Sequence, residues 1–344
     1  MGRTTIRDVA ARAGVSTATA SNVVNGNRPV GDASRKAVEE AVAALGYRVN
    51  RAASSLRNRS SRLVGMIVPD INNIFFAGLV HHVEQEAERD GYDLLIASSS
   101  EDPALERRRV EALMGRQVDG LIVAPATDTS MLALREGLAP TVLIDRGAGA
   151  PGFDTVSADC EAAAHALTRH LIELGHLDIV MLATNEGLRN IASRIAGYRR
   201  ALAEARLEAR ARIRVGGADL ESLRETIEAE LRRPDRPTAI FASTNHSALA
   251  AITAARGLGL EIPGDVSIAG FDDFEWMRAL RPYLTTVAQP IEGFAAASWR
   301  LLMRRVAGEA GAEPSRIEFP CALKTRESTG TVRSRLKAAA DALS

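Results

Sequence analysis

From residue 63 onward, short and almost wholly apolar runs recur between longer amphipathic stretches, and the pattern plays through twice. Leu63–Val68 (Leu-Val-Gly-Met-Ile-Val), Asp93–Ala97, Gly120–Ala124 and Thr141–Asp145 read as strands of the first series. A second series starts near Asp178, with Ile179–Ala183, Ile213–Val215, Ala239–Ala242 and Val266–Gly270. Helical stretches are expected at about Phe76–Asp90, Ile195–Ala205 and Ser247–Leu258. Strands with no polar face must be covered on both sides, so the pattern predicts parallel sheets flanked by helices. Two such halves in tandem leave a cleft between them. In open α/β sheets ligands sit beyond the carboxyl ends of the strands. Polar residues gather at those ends: Pro69-Asp70, Asp145-Arg146, Asn245 and Asp272-Asp273.

The chain is 344 residues long, which suits two or three domains. Aromatic residues are only 4% of it, so Ala, Val, Leu and Ile must fill the cores. No apolar run reaches the roughly 18–20 residues of a membrane span, and Met1–Ile6 lacks the apolar stretch of a signal peptide. The expectation is a cytoplasmic protein without a membrane partner. Cys160 and Cys321 lie too far apart in sequence for a disulfide framework or a Cys-rich metal site. The zero net charge conceals a split. Residues 1–62 carry 11 Lys and Arg against 4 Asp and Glu, and the remainder carries 32 against 39. A basic head on an acidic body points to a polyanion partner for the head alone.

The head carries helical periodicity. Thr5 and Asp8 have capping-box spacing, Ile6, Val9, Ala10 and Ala13 share a face, and Gly14 stops the helix. Ser16 is a good N-cap for a second helix with Ala20, Val23 and Val24 inward, ended by Asn25-Gly26. A third helix begins near Asp32, with Val38, Ala41, Val42 and Leu45 inward and Gly46 at its end. Two short helices around Ala13-Gly14-Val15-Ser16 make a helix-turn-helix. The first residues of its second helix, Thr17, Ala18 and Ser21, with Asn22 a turn along, are then the ones that reach base edges in the major groove. Arg3, Arg7, Arg12, Arg28, Arg35 and Lys36 are placed to meet phosphates. The next stretch, Asn50–Arg57, is polar, has one large apolar residue (Leu56), and is too short to be a stable isolated helix.

The run Thr5–Asn25, continued through Gly46-Tyr47 to Asn50-Arg-Ala-Ala-Ser-Ser-Leu56, strongly resembles the lac repressor (LacI/GalR) family of bacterial transcriptional regulators. The body resembles that family's effector core, which is like the periplasmic sugar-binding proteins, through Asn73–Phe76, Ile144-Asp145-Arg146, Arg194–Tyr198, Gly270–Asp273 and Leu284–Pro290. The resemblance implies an α/β fold class with a helix-turn-helix head at 1–46, a hinge segment at 47–62 and a two-subdomain core at 63–330. The N-subdomain would take 63–158 and 292–320, and the C-subdomain 159–291 and 321–330. The tail 331–344 is expected to be disordered and carries no leucine zipper, so a homodimer is expected.

The implied DNA-contacting set is Thr5, Ser16, Thr17, Ala18, Ser21, Asn22 and Asn25, with Asn50, Ala53, Leu56 and Arg57 in the hinge. Leu56 there wedges into the minor groove. The implied effector site comprises Phe75, Phe76, Arg146, Arg194, Asn245, Asp272 and Trp276. Arg194 and Asp272 lead this set, and Asp145-Arg146 is equally readable as a structural pair. A carboxylate that accepts hydroxyls, a guanidinium fork and an aromatic wall suit a sugar, sugar acid or related polyol. Two departures from the family blur the effector. His246 stands where an acidic residue is common, and Gly216–Leu220 lacks an aromatic. A purine- or nucleoside-type effector is the narrower alternative, and a sugar-modifying cleft enzyme is the rival from another class. No cofactor, metal or catalytic motif is found: Gly257-Leu-Gly259 follows a helix, and His81-His82 point about 100° apart on one. The expectation is a dimeric repressor of carbohydrate use on a pseudo-palindromic double-stranded operator.

Overall fold

The computed structural model describes residues 4–25, 29–47, 60–147, 150–279, 281–309, 311 and 313–332. Asn50, Ala53, Leu56 and Arg57, the tail beyond 332 and the side chain of Asn25 lie outside the described residues. The chain divides into two compact units, Met1–Ser61 and Arg62–Ser344.

The first unit contains α1 (Ile6–Ala13), α2 (Thr17–Asn25) and α3 (Asp32–Leu45). The amide and hydroxyl of Thr5 both donate to Asp8 Oδ2 at 2.8 Å, so the aspartate closes the cap where a glutamate is usual. Gly14, at φ 66°, lets the Val15 amide fold back to the Ala10 carbonyl at 3.1 Å. Ser16 Oγ accepts from the Thr19 amide at 3.0 Å, which starts α2. Val9, Ala10, Ala20, Val38 and Ala41 form the core, ringed by Ile6, Val23, Val42 and Leu45.

The second unit holds two six-stranded sheets. The first contains β1 (Leu63–Val68), β2 (Asp93–Ser98), β3 (Gly120–Val123), β4 (Thr141–Ile144), β5 (Asp154–Ala158) and β11 (Arg316–Phe319). It is parallel throughout, in the order β11-β5-β4-β3-β1-β2. The second contains β6 (Ile179–Ala183), β7 (Arg212–Val215), β8 (Ala239–Ala242), β9 (Ser267–Phe271), β10 (Thr285–Ala288) and β12 (Ala322–Lys324), in the order β12-β10-β9-β8-β6-β7. Only β12 runs antiparallel to its neighbour. The helices are α4 (Ile74–Arg89), α5 (Pro103–Met114), α6 (Cys160–Glu173), α7 (Arg189–Glu204), α8 (Leu220–Leu231), α9 (Asn245–Gly257) and α10 (Ile291–Val306). Strand order reverses between β1 and β3 and between β6 and β8, which opens a crevice at the carboxyl edge of each sheet.

The halves are not simply tandem. The second sheet acquires its first helix before Asp178, because α6 packs on β8, β10 and β12. The chain returns to the first sheet after β10: α10 covers α4, β3, β4 and β5, and Trp299 Nε1 donates to Asp90 Oδ2 at 2.7 Å. It crosses a third time between β11 and β12. The strand β5 (Asp-Thr-Val-Ser-Ala) lacks the unbroken apolar run of its neighbours, yet all five of its residues are buried. Arg305 and the Ser315 amide make this possible by donating to Asp154 at 2.6–2.9 Å.

Glu106 of α5 is fully buried. Its Oε2 accepts from the Ala126 amide at 2.5 Å and its Oε1 has no partner. Burial pushes its carboxyl above the ordinary 4.5, against hydrogen bonds from Ser130 and Ala126 and the Arg146 charge. The folded chain therefore holds this proton more tightly than the unfolded chain. The stability it contributes is fully present below the unfolded value and is lost as pH rises through the folded one. Glu106→Gln should remove that loss, so the Tm of the variant should gain on wild type from pH 4 upward and then level off. Parallel Tm profiles across that range would show that Glu106 does not titrate there.

Candidate functional site

The carboxyl ends of the two sheets face each other across a cavity of about 290 Å³. Its walls come from elements that the sequence builds for local reasons. Asn73 N-caps α4, its Oδ1 accepting from the Phe75 amide at 3.1 Å. That cap delivers Phe75 and Phe76 to the wall as an edge-to-face pair with centroids 5.1 Å apart. Asp145 follows β4 at φ 64°, and Asp272 follows β9 at φ 72°. Both aspartates hold the left-handed conformation, which turns the chain sharply at the sheet edge and costs about 1–3 kcal/mol each. Strain of this kind persists where surrounding bonds over-determine it.

Asp272, which is buried, is the hub. Its Oδ2 accepts from the Asn245 amide at 3.3 Å and from Asn245 Nδ2 at 3.0 Å, and its Oδ1 accepts from Gln289 Nε2 at 2.7 Å. Asn245 also reaches over the cleft, its Nδ2 donating to Asn73 Oδ1 at 3.1 Å. A second bond crosses beside it, from Asn190 Nδ2 to Asp145 Oδ2 at 3.0 Å. These two bonds join the β1–β4 side to the β6–β9 side.

Arg194 lies on α7, with its guanidinium carbon 3.9 Å from the centroid of the Phe271 ring and Nη1 donating to the Ser243 carbonyl at 2.5 Å. Burial alone would depress this group, yet Cys160, Asp272 and Asp145 facing it hold it above its ordinary value. Burial pushes the Asp145 carboxyl up, opposed by Arg146 and Arg194. Arg146 donates from both ends of its fork to Glu101, at 2.6 and 2.9 Å, and lies 5.6 Å from the Phe76 centroid. Three buried polar atoms of these residues have no hydrogen-bond partner: Arg146 Nε, Arg194 Nε and Gln289 Oε1. Unpaired buried groups are costly, and two donors with one acceptor on a cavity wall are what a hydroxylated ligand satisfies.

Phe75, Phe76, Arg146, Arg194, Asn245 and Asp272 all line the cavity. Trp276 does not. It sits on the turn Glu275–Arg278 beside Ile252, Met277 and Leu284, so its ring packs a loop of the second sheet. Asp273 also turns away and takes the fork of Arg326 at 2.8 Å through each oxygen. Asp70 caps its own turn by accepting from the Asn72 amide at 2.9 Å. Sequence reasoning missed Glu101, Asn190 and Gln289. None stands directly after a strand recognised in advance, and two are amides that look like ordinary surface residues. The loop after β7 brings only Gly217 and Ala218 to the cavity, and His246 lies beside Asn245.

In the head, Ser16, Thr17 and Ala18 are exposed at the start of α2, and Ser21 and Asn22 are half-buried one turn on. Thr5 is engaged in its cap. Arg7, Arg12, Arg35 and Lys36 are exposed. Among the described residues no helix is long and apolar enough to cross a membrane.

A helix-turn-helix head on a two-sheet body with a polar cleft defines a ligand-responsive regulator. Residues 5–50 match the family of bacterial regulatory proteins of lacI type, and residues 168–329 match the periplasmic binding protein-like domain. The catabolite control protein A of Priestia megaterium is 36% identical over 329 residues, covering 94% of this chain and 99% of that one. The lac repressor dimer bound to operator and the anti-inducer ONPF superposes with a TM-score of 0.86 at 26% identity, covering 96% of this chain and 100% of that one. The transcriptional regulator CelR in complex with cellobiose matches with a TM-score of 0.70 at 30% identity, covering 95% and 100%. The chain belongs to the lacI family of bacterial regulatory proteins.

Proposed function

We propose that this chain is a dimeric transcriptional repressor that binds a pseudo-palindromic operator and is switched by a sugar-like polyol held in the cleft between its two sheets. It acts in the cytoplasm, on genes of carbohydrate use. The observation that carries the effector half is the set of cleft walls: an aspartate hub, two buried guanidiniums with unpaired Nε groups, and an aromatic pair. The DNA half rests on the exposed start of α2 in a head that is strongly basic for its size. The relatives support both halves, one being an operator-bound dimer and another a cellobiose complex.

The switch works through differential affinity. The Asn245–Asn73 and Asn190–Asp145 bonds cross the cleft and would have to break for it to open, so a ligand that prefers one degree of closure biases the whole body. Through that bias the effector raises or lowers operator affinity. A coupling of about 1–3 kcal/mol suffices for a 5- to 150-fold change in operator affinity.

The experiment is a thermal-shift screen of sugars, sugar acids and nucleosides on the full chain, with hits added to operator titrations. A hit that raises Tm and changes operator affinity supports the proposal, and a hit that is chemically turned over sinks it in favour of an enzyme. A separate expectation concerns Leu56, the one large apolar residue of Asn50–Arg57. Leu56→Ala should weaken operator binding about 10-fold or more, because the unstacked base step loses its wedge, and leave ligand binding unchanged. Undiminished operator affinity would remove the wedge from the mechanism.

A further inference from the structure

We propose that Glu101 makes the cleft selective for uncharged polyols, by occupying the guanidinium fork of Arg146 that a sugar phosphate or sugar acid would otherwise use. The inference rests on the polyol reading of the cleft and narrows it.

Tight recognition of a phosphate or carboxylate needs a guanidinium fork or an ammonium with donors to spare. The described residues lining the cavity supply two guanidiniums, Arg146 and Arg194, and no lysine. The fork of Arg146 is already filled, Nη1 donating to Glu101 Oε2 at 2.6 Å and Nη2 to Oε1 at 2.9 Å. Its Nε, 3.6 Å from Asp145 Oδ2, remains as a single side-on donor. Arg194 commits Nη1 to the Ser243 carbonyl, sits over the Phe271 ring and has an unpartnered Nε. Three acidic side chains, Glu101, Asp145 and Asp272, line the same space as the two guanidiniums. An incoming anion therefore finds the fork of Arg146 already filled, with the Glu101 carboxylate standing in front of it. A hydroxyl can donate to Asp272, Glu101 or Gln289 Oε1 and accept from either Nε, so it can match the wall on both counts.

The backbone at Glu101 is an independent sign that this carboxylate is placed and not incidental. Ser100 and Glu101 are consecutive left-handed residues, at φ 51° and 59°. Their turn is clamped by the Ser99 and Ser100 amides donating to the Val68 and Pro69 carbonyls at 2.9 and 2.8 Å, and by Asp102 capping α5. That pair of strained positions swings Glu101 back from the end of β2 to the buried Arg146. The guanidinium is only 7% exposed and the carboxylate 38%, so the glutamate covers the arginine from the solvent side. The cavity volume, about 290 Å³, is at the small end for ligand sites and suits a monosaccharide-sized molecule.

The test uses the full-length chain, its Glu101→Gln variant and the Glu101→Gln/Arg146→Gln double variant. Calorimetry and thermal shift are run with glucose, galactose and ribose, and with glucose 6-phosphate, gluconate, glucuronate and ribose 5-phosphate. Wild type should bind a neutral sugar and bind its anionic counterparts at least about tenfold more weakly. Glu101→Gln should tighten anion binding about tenfold or more while changing neutral binding less, and the double variant should lose that gain. If wild type binds an anionic sugar as tightly as a neutral one, or Glu101→Gln gains nothing toward anions, the Glu101 inference falls and the polyol reading stands. If no sugar of either kind binds any of the three proteins, both fall together.

Discussion

Asp272→Ala is expected to abolish the effector response and to leave operator binding intact. The carboxylate accepts three hydrogen bonds, from the Asn245 amide, Asn245 Nδ2 and Gln289 Nε2, and it is buried. Removing it strands those donors and takes away a carboxylate acceptor from the cavity wall. Truncating one partner of a buried hydrogen-bonded set typically costs about 2–5 kcal/mol. Effector affinity should then fall by about a hundredfold, since each 1.4 kcal/mol is tenfold. Asp272 also holds φ 72°, a conformation asparagine tolerates better than alanine. Asp272→Asn therefore serves as the milder partner, with a smaller loss of affinity and less disturbance of the loop. The check is an effector titration of each variant on operator DNA, followed by fluorescence anisotropy. A normal dose response from Asp272→Ala would take this residue out of the site.

The largest expected effect on stability is at Gly197. A Cβ placed there would lie 2.1 Å from the Glu161 carbonyl oxygen, 2.8 Å from the His165 amide nitrogen and 2.9 Å from Ala164 Cβ. Two of those atoms are backbone of α6 and cannot move aside alone, so α6 and α7 must part. Overpacking of this kind typically costs about 1–3 kcal/mol, and backbone contact puts Gly197→Ala at the top of that range. Tm should drop by roughly 6–12 °C. The same change at Gly257, where a Cβ meets nothing within 4 Å, should be neutral or slightly stabilising. Thermal denaturation of the pair decides it, and equal Tm values would mean that the helix contact is not as close as described. Because Arg194 is one turn away on the same helix, Gly197→Ala should weaken effector binding as well.

The stretch Arg194–Tyr198 shows how far residues alone can be read. Its likeness to a regulator family is visible in the letters, and so is its helical character. The division of labour within it is not. Arg194 points into the cleft and Gly197 admits the backbone of α6. The Tyr198 hydroxyl donates to the Ile179 carbonyl at 2.8 Å and accepts from the Arg212 amide at 3.0 Å. Trp276 makes the opposite point. An aromatic a few residues after Asp272 is a reasonable wall for a sugar, but the turn Glu275–Arg278 carries it away against Ile252 and Leu284. The direction of a side chain after a turn depends on packing that no sequence period encodes.

What the residues determined by themselves was everything governed by local periodicity and caps. The three short helices of the head follow from Thr5, Gly14, Ser16 and Gly46 at their ends, and the buried strands from unbroken apolar runs. The two aspartates at strand ends were legible for the same reason, since strand ends are local events. Tertiary structure decided which segments share a sheet and which side chains share a cleft. Crossings after β5, β10 and β11 interleave the two halves, and bonds such as Asn245 to Asn73, 172 positions apart, arise only once both sheets have formed. Pairings over such separations depend on how whole sheets pack, and a window of neighbouring residues carries no record of that.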